Sequence, residues 1–277
     1  MNVLLLGSSG FLGSNIKKFL LKNNKFNLIT PSRDELFMDK KISTNTKNHL
    51  ENAEIIINCI ADIDFNSCAN SKINFANIEV PKIINKISSK NSYKIHFSTD
   101  AMYESNTNQS DEFSVTREKN DYVKQKILSE KYFSTNSVIL RTSFVGMNPK
   151  KTGMLNYLID SFKFNQQIDG WIDVFTSSVH VEHICELILK LVINKPVGIF
   201  NFGTDKPYSK YSYISEICEV FGREALVKKV LSPLADNRNK NCGMNSEKIK
   251  KVLRIELPTF KNVINKSIGD IKNVNDA

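Results

Sequence analysis

The stretch "NDYVKQKILSEKYF" sets Tyr122 and Lys126 four residues apart at the start of a helical pattern, so both lie on one helix face. A phenol is a poor acid or base at neutral pH while its pKa stays near ~10. An ammonium beside it would stabilise the phenolate and bring the pKa toward working pH, which is what proton exchange with a carbonyl oxygen requires. Upstream, "IHFSTDAMY" closes an apolar strand with Ser98, Thr99 and Asp100. In open parallel sheets, chemistry takes place just beyond the carboxyl ends of the strands, where Thr99 would hydrogen-bond the same oxygen. A lone Tyr-x-x-x-Lys arises on any Lys-rich helix. The order carries the weight: glycine turn, strand ending in Ser-Thr, then Tyr and Lys opening a helix.

The glycine turn is "NVLLLGSSGFLGSNI", with Gly7, Gly10 and Gly13 between an apolar strand and a helix that begins near Phe11. Such a turn aims free N–H groups and the positive helix end at the crevice beside it. Glycine there permits positive φ and close approach of a pyrophosphate, and Gly13 lets the helix lie close on the sheet. The competing reading is a tight turn with no ligand. Because the motif opens a β-α-β pattern, dinucleotide binding is the expectation. The second strand, "FNLIT", runs into "PSRDE". Arg33 there suits a 2′-phosphate and favours NADPH, Asp34 keeps NADH open, and an exposed turn arginine is the rival explanation.

The elements that must position these residues alternate. Strand-like runs cover 3–6, 26–29, 54–58, 94–98, 137–141 and 197–202; helical spacing covers 11–21, 73–87, 122–133 and 181–192. The pattern predicts an α/β fold: a Rossmann-type doubly wound parallel sheet with a smaller C-terminal substrate-binding lobe. The expected dinucleotide-binding domain is 1–148, with the chain returning to it at about 172–202; the lobe takes 149–171 and 203–277. After Gly146, Pro149, Gly153, Gly170, Pro196, Pro207, Pro233 and Pro258 punctuate what read as shorter elements. The polar stretch 104–120 reads as a surface loop, which at that length is more often functional than not.

With 277 residues the chain can bury a substantial core. Its five cysteines are scattered without C-x-x-C pairing, which argues against a disulfide framework or zinc knuckle and suits a reducing cytoplasm. No run has the length of a signal core or a membrane span, so a soluble protein without a membrane partner is expected. The net charge of +9 is spread over lysine doublets such as Lys17-Lys18 and Lys228-Lys229, which reads as a solvated surface, and a nucleic-acid binder is the weakest reading. His180 and His183 have metal-binding spacing but no third ligand, so no metal is expected. Lys150 and Lys151 could reach a diphosphate or be surface lysines, and Trp171 reads as packing.

Taken together, "GSSGFLG", "INCIAD", the Asn of "INFANIEVP", "FSTD", "YVKQK" and "LRTSFVG" resemble the extended short-chain dehydrogenase/reductases, and within them the dTDP-4-dehydrorhamnose reductase family. The resemblance covers most of the chain and is strongest over residues 1–146. It implies NAD(P)H-dependent reduction of a nucleotide-activated 4-keto-6-deoxy sugar, in deoxysugar and surface-polysaccharide biosynthesis. Thr99, Tyr122 and Lys126 become the catalytic set; Gly7, Ser9, Gly10, Phe11 and Leu12 the diphosphate loop. Met38 and Asp39 fall near the adenine, Ile60, Ala61 and Asp62 line the cofactor's middle, and Ser98, Tyr122 and Lys126 also contact the cofactor, with Lys126 on the nicotinamide ribose. Met102, Tyr103, Phe144 and Lys150 become substrate contacts. Ala101 after Asp100 departs from the Asp-Glu pair of related dehydratases and disfavours dehydration; Phe144 stands where the family often has tryptophan. The partner implied is a nucleotide-diphosphate sugar, with a homodimer left open. The alternatives are an epimerase that retains NAD and a non-catalytic subunit of the methionine adenosyltransferase type.

Overall fold

The protein is described by a computed structural model covering residues 1–38, 41–64, 68, 74–103, 109–133, 135–233 and 239–275. Six strands form the central parallel sheet: β1 (Asn2–Leu6), β2 (Asn27–Ile29), β3 (Ile55–Asn58), β4 (Tyr93–Thr99), β5 (Ser137–Thr142) and β6 (Gly198–Phe202). Their order is β6-β5-β4-β3-β1-β2. The register pairs Leu4 with Ile29 on one side and Ile56 on the other, and Asn58 with His96. Val3 to Leu6 and Ile55 to Ile57 are buried without interruption, which is why these strands read as continuous apolar runs rather than alternating ones.

Four helices of this sheet unit matter for the site: α1 (Phe11–Leu21), α2 (Thr44–Asn52), α3 (Val80–Ile87) and α4 (Asp121–Glu130). Leu50 of α2 and Val80 and Ile84 of α3 pack in one cluster with Leu4, Leu6 and Ile56. Since side chains alternate along a strand, Val3, Leu5, Ile55 and Ile57 point to the opposite face. The chain leaves β1 through α1 to one neighbour and later enters β3 on the other side. The switch point between β1 and β3 therefore opens beside Gly7 and Cys59, the place where α/β sheets bind ligands. The helical pattern expected over 73–87 is interrupted: a π-helical turn, Phe75–Glu79, precedes α3, capped by Asn74, whose side chain accepts from the Asn77 amide.

The chain forms two compact units: 1–102, 117–141 and 185–200 in the first; 103–116, 142–184 and 201–277 in the second. These boundaries differ from those expected, because 103–116, 142–148, 172–184 and 201–202 go with the second unit. Hydrogen bonds explain the assignment. Asn201 accepts from the Tyr103 hydroxyl at 2.6 Å and donates to the Ser110 carbonyl at 2.9 Å, and Ser143 accepts from the Val179 amide at 3.1 Å. The second unit also holds longer helices than its punctuation suggested. Phe260–Asn275 runs 16 residues and buries Val263, Ile264 and Ile271 against Ile214 and Ile217 of helix Lys210–Val220. Lysines and asparagines between those apolar positions blur the helical period in sequence.

Candidate active site

The loop after β1 is built by its own packing before any ligand is considered. Gly7 has φ +78°, and the Gly10 amide donates to the Gly7 carbonyl at 3.0 Å. A Cβ on Gly7 would lie 2.9 Å from the Cys59 carbonyl carbon and the Ile60 nitrogen; one on Gly13 would lie 2.1 Å from the Gly7 oxygen. Both glycines are therefore demanded by the strand-turn-helix junction itself. Gly10 is different. Its backbone is extended (φ −79°, ψ 171°), and the nearest atom to an added Cβ is the Gly7 oxygen at 3.3 Å. It caps α1, whose first turn has neither a side-chain cap nor an acidic residue. The first amides of that helix are left for an anion. Ser9 is exposed, Phe11 half-buried and Leu12 buried, so Leu12 would reach a diphosphate only through its backbone.

The segment after β3 is held by asparagines to which the sequence reading assigned no role. The Ile60 amide donates to Asn58 Oδ1 at 3.1 Å and the Asp62 amide to Asn77 Oδ1 at 2.9 Å. Asn77 Nδ2 returns a bond to the Asp62 carbonyl at 2.8 Å and another to Gln125 Oε1 at 2.9 Å, and Asn74 donates to the Asp62 carboxylate at 2.9 Å. Ala61 is exposed between these fixed points. Their signal in the sequence was the motifs "INCIAD" and "INFANIEVP", which carry these asparagines without saying what they bond. Arg33 is exposed on the first residue of the short helix Arg33–Leu36; Met38 lies in the two-strand ribbon with Lys41–Ile42, and Asp39 lies outside the described residues.

β4 is buried along its whole length and delivers Thr99 to its carboxyl end. Asn120 caps α4, its Oδ1 accepting from the Val123 amide at 3.0 Å, which places Tyr122 and Lys126 in the first turns. Tyr122 hydrogen-bonds Thr99. Part of the tyrosine stays exposed, but desolvation at its hydroxyl pushes the pKa up to about 12, outweighing the Thr99 bond, which acts to lower it. Lys126 is buried and its Nζ donates to the Phe97 carbonyl at 2.7 Å; burial brings its pKa down to about 8, opposed by Glu130. Lys126 is not among the groups that act on the phenol in the protein without cofactor. In the protein without cofactor, burial dominates, the ammonium is turned to a carbonyl, and the phenol stays protonated. Beside Thr99, the Ser98 hydroxyl is buried with no hydrogen-bond partner.

The expected substrate contacts fare differently. Met102 and Tyr103 are both 0% exposed, and Tyr103 binds Asn201 through its hydroxyl and Asn239 through its carbonyl oxygen. Both are interior residues, one an apolar thioether and the other a phenol bonded to Asn201. Phe144 is half-buried in the pair it forms with Val179, and Lys150 is exposed in the turn capped by Asn148. Trp171 lies 4.6 Å under the Lys210 ammonium. His180 Nε2 lies 3.1 Å from Asp270 Oδ2, and His183 Nδ1 accepts from the His180 amide at 3.2 Å, so each ring has a structural partner. Among the described residues no three His, Cys, Asp or Glu converge as metal ligands, and no helix is long and apolar enough to cross a membrane.

The family model for the RmlD substrate binding domain matches residues 1–273. The chain belongs to this family. The match bears out the resemblance drawn from the motifs, and the RmlD-type fold is shared with solved structures at low identity. A dTDP-4-dehydrorhamnose reductase from Clostridium acetobutylicum superposes with TM-score 0.82 at 17% identity, over 99% of this chain and 100% of that one. A dTDP-4-dehydrorhamnose reductase from Bacillus anthracis, in complex with NADP, gives 0.84 at 17% identity over 96% and 97%. A UDP-glucuronic acid 4-epimerase from Bacillus cereus, in complex with UDP-glucuronic acid and NAD, gives 0.81 at 17% identity over 99% and 100%. No curated protein matches by sequence.

Proposed function

We propose that this RmlD-family chain is an NADPH-preferring reductase of a nucleotide-activated 4-keto-6-deoxy sugar. The observation that carries the reading is the placement of Tyr122: a phenol beside Thr99 at the carboxyl end of β4, with Lys126 one turn along the same helix. Reduction of a ketone needs a proton donor at the developing alkoxide, and a phenol with a raised pKa is in the required form across neutral pH. An epimerase would use the same tyrosine in both directions, and what separates the two readings is net consumption of NADPH. The B. anthracis reductase of this fold is known with NADP, which supports the cofactor assignment.

The residues fit a dinucleotide. The α1 amides beyond Gly10 would take the diphosphate, Arg33 a 2′-phosphate, and the Ile60–Asp62 backbone the middle of the cofactor. The unsatisfied Ser98 hydroxyl fits a polar group not supplied by the chain itself. When bound, NADPH supplies a hydride to the carbonyl carbon. Thr99 orients the carbonyl oxygen, Tyr122 donates its proton to that oxygen, and Lys126 holds the nicotinamide ribose and balances the negative charge left on the phenol. Phe144 and Lys150 are carried as substrate contacts on the sugar and the diphosphate. The decisive assay is a panel of freshly generated 4-keto nucleotide sugars followed by NADPH absorbance, with NMR of the product. Stoichiometric NADPH oxidation and a new C4 alcohol are expected; interconversion of epimers without net oxidation would replace the reading with the epimerase.

A further inference from the structure

His96 sits in the middle of β4, 0% exposed, with its ring stacked on Phe133 at 4.3 Å between centroids. Both ring nitrogens are bonded. Nε2 lies 3.0 Å from Ser129 Oγ, and Nδ1 lies 3.2 Å from Asn58 Nδ2. The direction of the bonds follows from the backbone at each end. Ser129 Oγ donates its one hydrogen to the Lys126 carbonyl at 2.7 Å, so toward the ring it accepts, and Nε2 carries the proton. From the other end, the Ile60 amide can only donate, so Asn58 turns Oδ1 to it and Nδ2 to the ring, and Nδ1 accepts. Two independent ends demand the same neutral tautomer. Desolvation, with the charge on Lys126 nearby, keeps the ring uncharged.

We propose that His96 is a positioning residue for the cofactor site, fixing through one unidirectional hydrogen-bond chain the Ile60 amide at one end and the Lys126 carbonyl at the other. The two ends are not arbitrary. Ile60 begins the segment against which Gly7 packs, so close that a Cβ there would meet its nitrogen at 2.9 Å. Lys126 is gripped twice from adjacent β4 residues: its carbonyl through His96 and Ser129, its ammonium by the Phe97 carbonyl. A histidine that merely satisfied itself in the core could bond any two groups. This one joins the wall of the dinucleotide crevice to the lysine that holds the ribose, an inference that rests on the site reading above.

The test uses the whole enzyme and NADPH binding measured by nicotinamide fluorescence, with melting of the cofactor-free protein alongside. His96→Phe keeps the stacked ring and removes both bonds; NADPH affinity should fall about tenfold, since one to two buried hydrogen bonds lose their geometry. His96→Gln, which retains an acceptor and a donor, should recover affinity to within about threefold. Ser129→Ala should weaken binding by itself and add nothing to His96→Phe, because both cut one chain. The inference is overturned if His96→Phe lowers the melting temperature but leaves NADPH affinity within about twofold, or if the two substitutions add. Should His96→Phe fail to fold, Ser129→Ala and the ¹⁵N shifts of the wild-type imidazole decide, and a proton on Nδ1 overturns it. A wild type that does not bind NADPH at all overturns the site reading and this inference together; normal binding throughout the series overturns the inference alone.

Discussion

In the proposed reduction Tyr122 gives a proton to the carbonyl oxygen and has to hold it until the transfer, and burial raises its pKa in that direction. Tyr122→Phe should lower kcat by about 10²–10⁴, the usual worth of a positioned acid, while NADPH affinity stays within about twofold because ribose contact is assigned to Lys126; steady-state rates and fluorescence titration check both. Lys126 makes the opposite bargain with burial. An ordinary lysine titrates near 10.5, whereas this one is brought down to about 8, so the fold disfavours its charged form. Between those values the unfolded chain binds more protons than the folded one, and stability rises with pH. Lys126→Met should therefore stabilise the cofactor-free protein by about 1–3 kcal/mol below pH ~8, with the gain shrinking toward pH ~10.5, while NADPH binding weakens. Melting curves across pH are the measurement, and a constant gain would contradict the assignment.

At the scale of elements, the strand-turn-helix junction separates glycines by what they do. Gly13→Ala would press a methyl against the Gly7 carbonyl at 2.1 Å, closer than real contacts allow, so the junction must open. A loss of at least ~2 kcal/mol is expected. Gly10→Ala meets only the Gly7 oxygen at 3.3 Å on an extended backbone, so the fold should survive within about 1 kcal/mol while NADPH affinity falls, because the methyl occupies the approach to the α1 amides. Comparing melting and NADPH titration for the two variants tells a packing glycine from a ligand glycine. α4 is anchored at its far end by the buried bidentate pair Arg141–Glu130, at 3.0 and 2.8 Å. That pair fixes the helix on β5 and with it the reach of Tyr122 and Lys126.

Across the whole molecule, each compact unit carries a buried neutral histidine: His96 in the first, His183 in the second. Burial lowers the His183 pKa to about 4 and moves His96 in the same direction. A depressed histidine lets the unfolded chain take up protons first, so stability is fully present above pH ~6.5 and drains away as pH falls through that value toward ~4. The melting temperature should drop over that window. His183→Gln should flatten the slope, by about one proton's worth, and an unchanged slope in this variant would show that the ring is charged in the folded protein.

The Gly7 turn, the Ser98-Thr99 strand end and the Tyr122–Lys126 pair were legible because each depends on local spacing: a turn needs glycine, a strand needs a run, and a helix places every fourth residue on one face. The α/β order followed from the same periodicities. The asparagine and histidine contacts were not legible, since Asn58, Asn77, Gln125 and His96 meet across separate elements and no periodicity announces them. Nor were the unit boundaries, or the helix Phe260–Asn275, whose apolar face is diluted by polar neighbours. The sequence alone determined which groups could do chemistry and in what order the chain presents them. Only the tertiary structure decided their protonation states, because desolvation is a property of everything packed around a group, and it moved Tyr122 and Lys126 in directions that spacing alone does not contain.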